Sequence, residues 1–542
     1  MSSKPKPRLR IPRGTRDFPP QEMVKRDYVE SIIRQIFERY GFRRVQTPIF
    51  ETFELFALRS GEEIRSKMFV FSIDEGEMVL RPELTAPICR MIASGAIDLS
   101  AKPLRLYYIG RCYRYEEPQA GRYREFWHAG VELIGSPHPE ADAEIIALAV
   151  DVLQTLGLKG FVLRIGSLDI LRGFLYDKEV PEEVRNRLIG PLDILSSAID
   201  KLRMYRDKLA TGNPLDKNEL MDLTRRCDEL RLWYEEEMRK ALTGESPIPV
   251  EQLKAVEPDP RLYQLTELHK SGQYTELVGF IDAAIEKLKQ ARRLRWTFYG
   301  ITYTDDRGNQ IQYQLPADVA DRLLAMLDLR GSRETVFEKA QQLFHDSPNA
   351  LKALDRLQEM LDLLEQHGVC DYVVDLSIAR GLEYYTGMVF EIDFPPLGAQ
   401  KQICGGGRYD KLVEEFGGPP LPAIGFAFGF DRLVLALELS GTSLPSLKRA
   451  DVYVIPVKPD VLPYAIRVTK ALRTAGLCAE MSLLRRRLGK ELSFASDAGI
   501  PFCIIVGPEE ARQNLVTLRD MRAQEQQRIT LEDAIRIIKS RT

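Results

Sequence analysis

The stretch LRLYYIGRCYRYEEPQAGRYREFWHAGVELIG, residues 104–135, decides the fold. Two runs rich in β-branched and aromatic residues flank a turn containing Pro118 and Gly121, so they read as paired strands. Upstream, MFVFSID and EMVLRPEL have the same character. Spacing this short leaves no room for a crossover helix, which points to antiparallel strands and not to a βαβ repeat. Residues 20–40 place apolar side chains at helical spacing until Gly41-Phe42 stops the run, and a strand-like RRVQTPIFE follows, ending at Pro48. A second helix is expected over 139–156, with acidic residues in its first turn, where they complement the helix dipole.

Between roughly 180 and 368 the character changes. Leu, Glu, Lys and Arg recur at helical periodicity, as in PLDILSSAIDKLRMYRDKL, which predicts a separate, mostly helical domain over 181–368. Within it, 296–315 reads as a hairpin turning at Asp-Arg-Gly-Asn. β-character returns at YVVDLS and GMVFEIDF. After the linker GTSLPSLKRA, strands alternate with helices over 450–542, which predicts a compact α/β domain. The whole is an α+β protein.

A chain of 542 residues exceeds one small binding module several times over, and 44% hydrophobic residues suffice for real cores. The formal charge of −3 shows no global basic excess, so any nucleic-acid affinity must be local. Residues 450–542 hold fifteen Lys/Arg against eleven Asp/Glu, a local charge near +4, densest at Arg485-Arg486-Arg487. Phosphate contacts supply most non-specific nucleic-acid affinity, although a solvated helix face has the same composition. Seven scattered cysteines without CxxC spacing argue against a disulfide scaffold or a structural zinc site, and no metal ligands are assigned. Six basic residues occupy the first sixteen, but no apolar segment follows to make a signal peptide, and no run approaches membrane-spanning length. The expected location is the cytoplasm.

Five stretches join β-rich flanks to charges that are expensive in an ordinary core. They are Leu80–Thr85 (LRPELT), 114–124 (RYEEPQAGRYR), 380–387 (RGLEYYTG), Gly405–Asp410 (GGGRYD) and Gly425–Arg432 (GFAFGFDR). The three glycines before Arg408 read as a strand-edge turn or a phosphate loop; P-loop spacing is absent. In this order the five stretches resemble the histidyl-tRNA synthetases, a class II aminoacyl-tRNA synthetase family. PRGTRD at 12–17 resembles the family's start, and the helix and strand ending at Pro48 resemble motif 1. YRYEEPQAGRYREF resembles motif 2, GFAFGFDRL motif 3 and RGLEYYTG the histidine-specific signature. The match spans 12–157 and 366–440, while 450–542 looks like the shared anticodon-binding domain.

The resemblance implies an antiparallel catalytic core (1–180 and 369–442) interrupted by the helical insertion. It implies ATP and Mg2+ as cofactors, histidine and tRNA(His) as substrates, and a homodimer. Arg114 would hold the α-phosphate and Arg380 would contact it from the other side, making these the catalytic pair. Glu116 would lie near the adenine, Arg122 on the γ-phosphate side, and Arg432 would stack on adenine. Glu83 and Thr85 match the family's ammonium contacts, and Glu132, Tyr384 and Tyr385 its histidine pocket. Gln119 and Arg124 would face the tRNA acceptor end, and Arg485, Arg486 and Arg487 the tRNA near the anticodon. His128 stands where the family usually carries glutamine, so amino-acid affinity is expected to fall on acidification through the pKa of His128. Glu383 replaces the usual aspartate. Basic residues from Lys287 to Arg295 suggest a clamp on the acceptor arm. The main rival is a non-catalytic, histidine-sensing regulatory subunit of ATP phosphoribosyltransferase, whose family lacks the C-terminal domain; a synthetase for another amino acid is a third possibility.

Overall fold

The computed structural model describes residues 10–541 apart from 61, 119–120, 260–264, 306, 379–383 and 448. Arg26–Leu444, with the residues up to Asp17, form one compact unit, and the residues from Pro445 onward belong to a second. Among the described residues, nine strands form the main sheet of the first unit. Their order is Arg43–Arg44, Leu104–Tyr113, Glu125–Ile134, Ala423–Gly429, Gln402–Arg408, Met388–Asp393, Val162–Ser167, Val373–Asp375 and Arg330–Gly331. The hairpin at 104–134 pairs antiparallel from Leu104↔Ile134 to Tyr113↔Glu125. Its second strand then pairs antiparallel with Ala423–Gly429.

RRVQTPIFE makes two short strands where one was expected. Arg43–Arg44 joins the main sheet, while Phe50–Thr52 joins a three-stranded sheet with Gly76–Leu80 and Val70–Ile73. Pro48 cannot donate to a ladder. The carbonyls of Thr47 and Pro48 instead accept hydrogen bonds from the buried Arg81 guanidinium at 2.8 and 2.9 Å. The glycine run is a second correction. Gly405–Gly407 are neither loop nor turn, but lie inside the strand Gln402–Arg408, between Met388–Asp393 and Ala423–Gly429. A Cβ on Gly406 would meet Phe426 at 2.5 Å and Phe390 at 2.7 Å, so bare backbone lets these rings close over the sheet.

Helices cover the sheet through apolar stripes. Pro20–Arg39 buries Val29, Ile33, Ile36 and Phe37, and Pro139–Thr155 is buried along most of its length. The middle of the chain is helical, as its periodicity predicts: Glu182–Ala210, Lys217–Thr243, Tyr274–Leu294 and Pro348–Gln366 are its longest helices. The expected hairpin forms from Ile301–Thr304 and Gln310–Tyr313. Leu188, Leu192, Ile199, Leu357 and Leu361 pack into the same continuous core as Ile165, Val389 and Phe428. A polar joint adds to this. Arg164, buried on its strand, pairs with Asp200 of the helix Glu182–Ala210 at 3.0 Å, with Asp375 at 3.0 Å, with Asp393 at 3.2 Å, and with Glu391.

The second unit has a five-stranded sheet ordered Ala479–Met481, Val452–Pro456, Phe502–Val506, Leu515–Asp520 and Gln526–Thr530. The first three strands are parallel and the last two antiparallel. Among the described residues no helix is long and apolar enough to cross a membrane.

Candidate functional site

A cavity of about 540 Å³ opens over the centre of the main sheet. Its walls come from the strands Glu125–Ile134, Gln402–Arg408 and Ala423–Gly429, so residues 290 positions apart meet because their strands are neighbours. Glu83, Thr85, Arg114, Glu116, Arg122, His128, Tyr384, Tyr385 and Arg432 all line it.

One end is a buried polar cluster. Glu132 is 1% exposed and lies just behind the cavity wall, where it is reached through Thr85 and Tyr409. The Thr85 hydroxyl donates to its Oε1 at 2.7 Å and the Tyr409 hydroxyl to its Oε2. Burial lifts the Glu132 carboxyl to about 8, against the stabilising hydroxyl donors and with the Glu83 carboxyl adding repulsion. A Cβ on Gly425 would collide with the Glu132 carboxylate, so that glycine makes the room. Glu83 is also buried, and burial raises its pKa even though the backbone N–H groups of Ala86, at 2.9 Å, and Thr85 donate to it. This carboxylate, one residue before the N-cap Leu84, therefore also holds the first two backbone N–H groups of the helix Thr85–Ala93. Tyr384 packs on Tyr385 with ring centroids 4.9 Å apart, and edge-on to Tyr409.

The other end is cationic. Arg114 donates to the Pro82 carbonyl at 3.1 Å and lies over the Phe126 ring. Arg432, at the start of the helix Phe430–Leu439, donates to the carbonyls of Gly121 and Gln402, each at 3.0 Å. Its pKa falls to about 10 through burial and the positive charges of Arg122 and Arg114. Asp431 anchors that helix: it accepts from Arg26 at 2.6 Å and from the Trp127 N–H at 2.8 Å. Arg122 pairs with Glu116, and although burial opposes it, this pairing lowers the Glu116 pKa.

Other expectations are corrected or fall elsewhere. His128 lies in the cavity wall against Phe126, and its pKa is pushed down to about 3, first by desolvation and then by Arg114, Arg432 and Arg81. A ring held that low would be neutral at pH 8 and at pH 6 alike, which argues against the expected loss of affinity on acidification. Arg124 has internal partners for part of its side chain: its Nε–H donates to the Glu116 carbonyl, its guanidinium covers the Tyr115 ring, and its methylenes pack on Gly14. The basic run 287–295 is likewise engaged. Lys289 pairs with Asp328 and Glu286, Arg293 with Asp321, and Arg292 and Arg295 lie over Trp296 and Trp233. Gln119, Arg380 and Glu383 lie outside the described residues. In the second unit Arg485, Arg486 and Arg487 are exposed on a loop, Arg485 with φ +50°, where the buried Glu491 accepts from Ser482 and from the Arg486 N–H.

Sequence reasoning missed Tyr409, although it lies in the GGGRYD stretch and was marked by its charged neighbours. It also missed Asp193 and Ser197, which reach the cavity from the helix Glu182–Ala210. Nothing in the local sequence of that helix signals the approach.

Comparison with known proteins accords with this site. The family model for histidyl-tRNA synthetase matches residues 14–212 and 276–433, and that for an anticodon-binding domain matches 451–541. The chain is 35% identical over 525 residues to the histidine–tRNA ligase of Methanocaldococcus jannaschii, covering 96% of this chain and 97% of that one. It is 34% identical over 531 residues to that of Pyrococcus furiosus, covering 97% and 98%. The crystal structure of histidyl-tRNA synthetase from Nostoc sp. PCC 7120 has the same fold, with a TM-score of 0.64 at 23% identity, covering 99% of this chain and 100% of that one. With a buried carboxylate cluster at one end of its cavity, arginines at the other, and this kinship over nearly its whole length, the chain belongs to the histidyl-tRNA synthetase family of class II aminoacyl-tRNA ligases.

Proposed function

We propose that the protein attaches histidine to tRNA(His) through a histidyl-adenylate. The observation that carries this is the polarity of the cavity, acidic and hydroxyl-lined at the end of Glu83, Thr85 and Tyr409, with Glu132 buried behind the two hydroxyls, and cationic at the Arg114 end. Histidine has an ammonium and one ring N–H to donate and a second ring nitrogen to accept, which suit Glu83, Thr85 and Glu132 with the Tyr385 hydroxyl. An incorrect side chain would leave those groups unpaired, a cost that supports discrimination of order 10⁴. Its carboxylate would then face the arginines. There, attack on the α-phosphorus of ATP forms the adenylate and releases pyrophosphate, and the 3′-terminal adenosine next takes the histidyl group. No covalent enzyme intermediate is needed, so the protein acts by positioning and by charge stabilisation.

Arg114 would grip the α-phosphate, with Arg380 opposite, and Arg122 the γ-phosphate side. Arg432, held edge-on by two carbonyls, keeps its planar faces available for adenine, with Glu116 beside it. Among the described residues no three His, Cys, Asp or Glu side chains cluster to cage a metal, so Mg2+ would arrive on the phosphates of ATP. Arg485–Arg487 would meet tRNA phosphates. We assign the catalytic core to 1–180 and 369–442, the insertion to 181–368 and the anticodon-binding domain to 450–542. A homodimer through the small sheet fits its exposed Ile49, Phe50, Phe71 and Ile73. The protein would act in the cytoplasm.

The test is amino-acid-dependent ATP–pyrophosphate exchange across all twenty amino acids. Exchange with histidine alone is expected; silence with all twenty would return the sensor reading, which the anticodon-domain match at 451–541 disfavours. A second expectation concerns His128. Because its ring does not titrate between pH 8 and 6, wild type and His128→Gln should show histidine KM profiles of the same shape over that range. A rise on acidification confined to the wild type would refute this.

A further inference from the structure

The helix Glu182–Ala210 does more than pack against the sheet. Asp193 and Ser197, one turn apart on one face, line the cavity. The next residue on that stripe is Lys201, about 6 Å further along the axis at 1.5 Å per residue, one turn beyond the residues that line the cavity wall. Lys201 is partly buried, yet among the described residues it makes no hydrogen bond or ion pair.

The other cations of this helix are all engaged. Arg185 lies over Tyr176, Arg187 donates to the Thr302 carbonyl, Arg203 pairs with Asp328, Arg206 with Asp282, and Lys208 with Glu219. Lys201 instead feels Arg226 most, then Arg225, and least Arg122, the last a cavity residue. The nearby carboxylate that attracts it, Asp222, is already taken by Arg225, Arg226 and the Tyr205 hydroxyl. Burial together with this repulsion lowers the Lys201 pKa. A half-buried ammonium beside a guanidinium, with no anion of its own, is a costly arrangement that a polyanion would relieve.

We infer that Lys201 of the helical insertion is a phosphate-binding residue at the margin of the catalytic cavity, one helical turn beyond Ser197. This rests on the function proposed above. The shared chemistry is a phosphate oxygen, supplied either by the β- and γ-phosphates of ATP and the departing pyrophosphate or by the backbone of the tRNA 3′ end.

Two assays on the full-length protein separate these sources: histidine-dependent ATP–pyrophosphate exchange without tRNA, and aminoacylation of tRNA(His). Lys201→Ala is expected to raise KM by about tenfold, the scale of one hydrogen bond to a charged group. A rise in KM for ATP and pyrophosphate in the exchange assay assigns the nucleotide, and a rise confined to KM for tRNA assigns the RNA. Lys201→Arg, which keeps the charge, should recover most of the loss in either case. Unchanged KM values for all three in Lys201→Ala, with an unaltered thermal midpoint, would overturn the inference. A wild-type protein silent in exchange with histidine would instead overturn the function on which it rests.

Discussion

Replacing Arg114 by glutamine should lower histidine-dependent ATP–pyrophosphate exchange by about 10²–10³-fold, the cost of removing one preorganised donor from a developing charge. The fold holds the Arg114 side chain in place. Its Nε–H is committed to the Pro82 carbonyl and its plane to the Phe126 ring, which leaves the outer nitrogens directed by the fold and not by substrate. Glutamine preserves polarity but supplies neither the permanent charge nor the fork that grips two phosphate oxygens. The loss should appear mainly in kcat, because charge stabilisation at the α-phosphorus matters more in the transition state than in the ground state. Lysine at 114 should recover part of the rate. A loss below about tenfold, from a variant whose thermal midpoint is unchanged, would remove Arg114 from the catalytic step.

The largest effect on stability is expected at Arg164. Burial opposes its charge, but Glu391, Asp393, Asp375 and Asp200 together hold it firmly protonated. Asp375 and Asp393 are themselves 0% and 2% exposed. Arg164→Met would fill the volume yet leave those carboxylates without their main counter-charge, a change that costs about 3–5 kcal/mol. Arg330 and Lys401 approach Asp375 and Asp393 at 3.5 and 3.2 Å and compensate only partly. The sign of the pH dependence follows. Unpaired buried carboxyls have folded-state pKa values above their unfolded ones, so the penalty vanishes once pH falls below the unfolded values near 4. The difference in denaturation midpoint between wild type and variant should therefore shrink from pH 8 towards pH 5. Equal midpoints at pH 8 would show that the cluster contributes nothing.

What the sequence made legible was mostly what local pattern controls. The 104–134 hairpin, the helices at 20–39 and 139–155, and the 301–313 hairpin follow from periodicity and turn residues. The charged site residues announced themselves, because a strand that carries glutamate or arginine inward needs a reason. What stayed hidden depended on neighbours distant in sequence. Gly405–Gly407 read as a turn because glycine weakens a strand, until Phe390 and Phe426 are seen pressing on them. The internal partners of Arg124 and of the 287–295 run were not legible, because charge in a sequence does not reveal which carbonyls, carboxylates and rings hold it. His128 read as a pH sensor because a free imidazole titrates near neutrality, whereas burial and a fixed set of arginines keep this one neutral. Lys201 lies in an ordinary amphipathic helix, and only the fold brings that helix to the cavity.

The split main sheet has a consequence for synthesis. The strand Glu125–Ile134 has Leu104–Tyr113 on one side, made just before it, and Ala423–Gly429 on the other. That second neighbour lies about 290 residues downstream, so a ribosome adding about 5–20 residues per second delivers it roughly 15–60 s later. Until then the nascent hairpin presents a bare edge, the feature most prone to pairing with the wrong chain. Length inserted between the halves of a sheet becomes time, and each helix placed there prolongs the interval before that edge is closed.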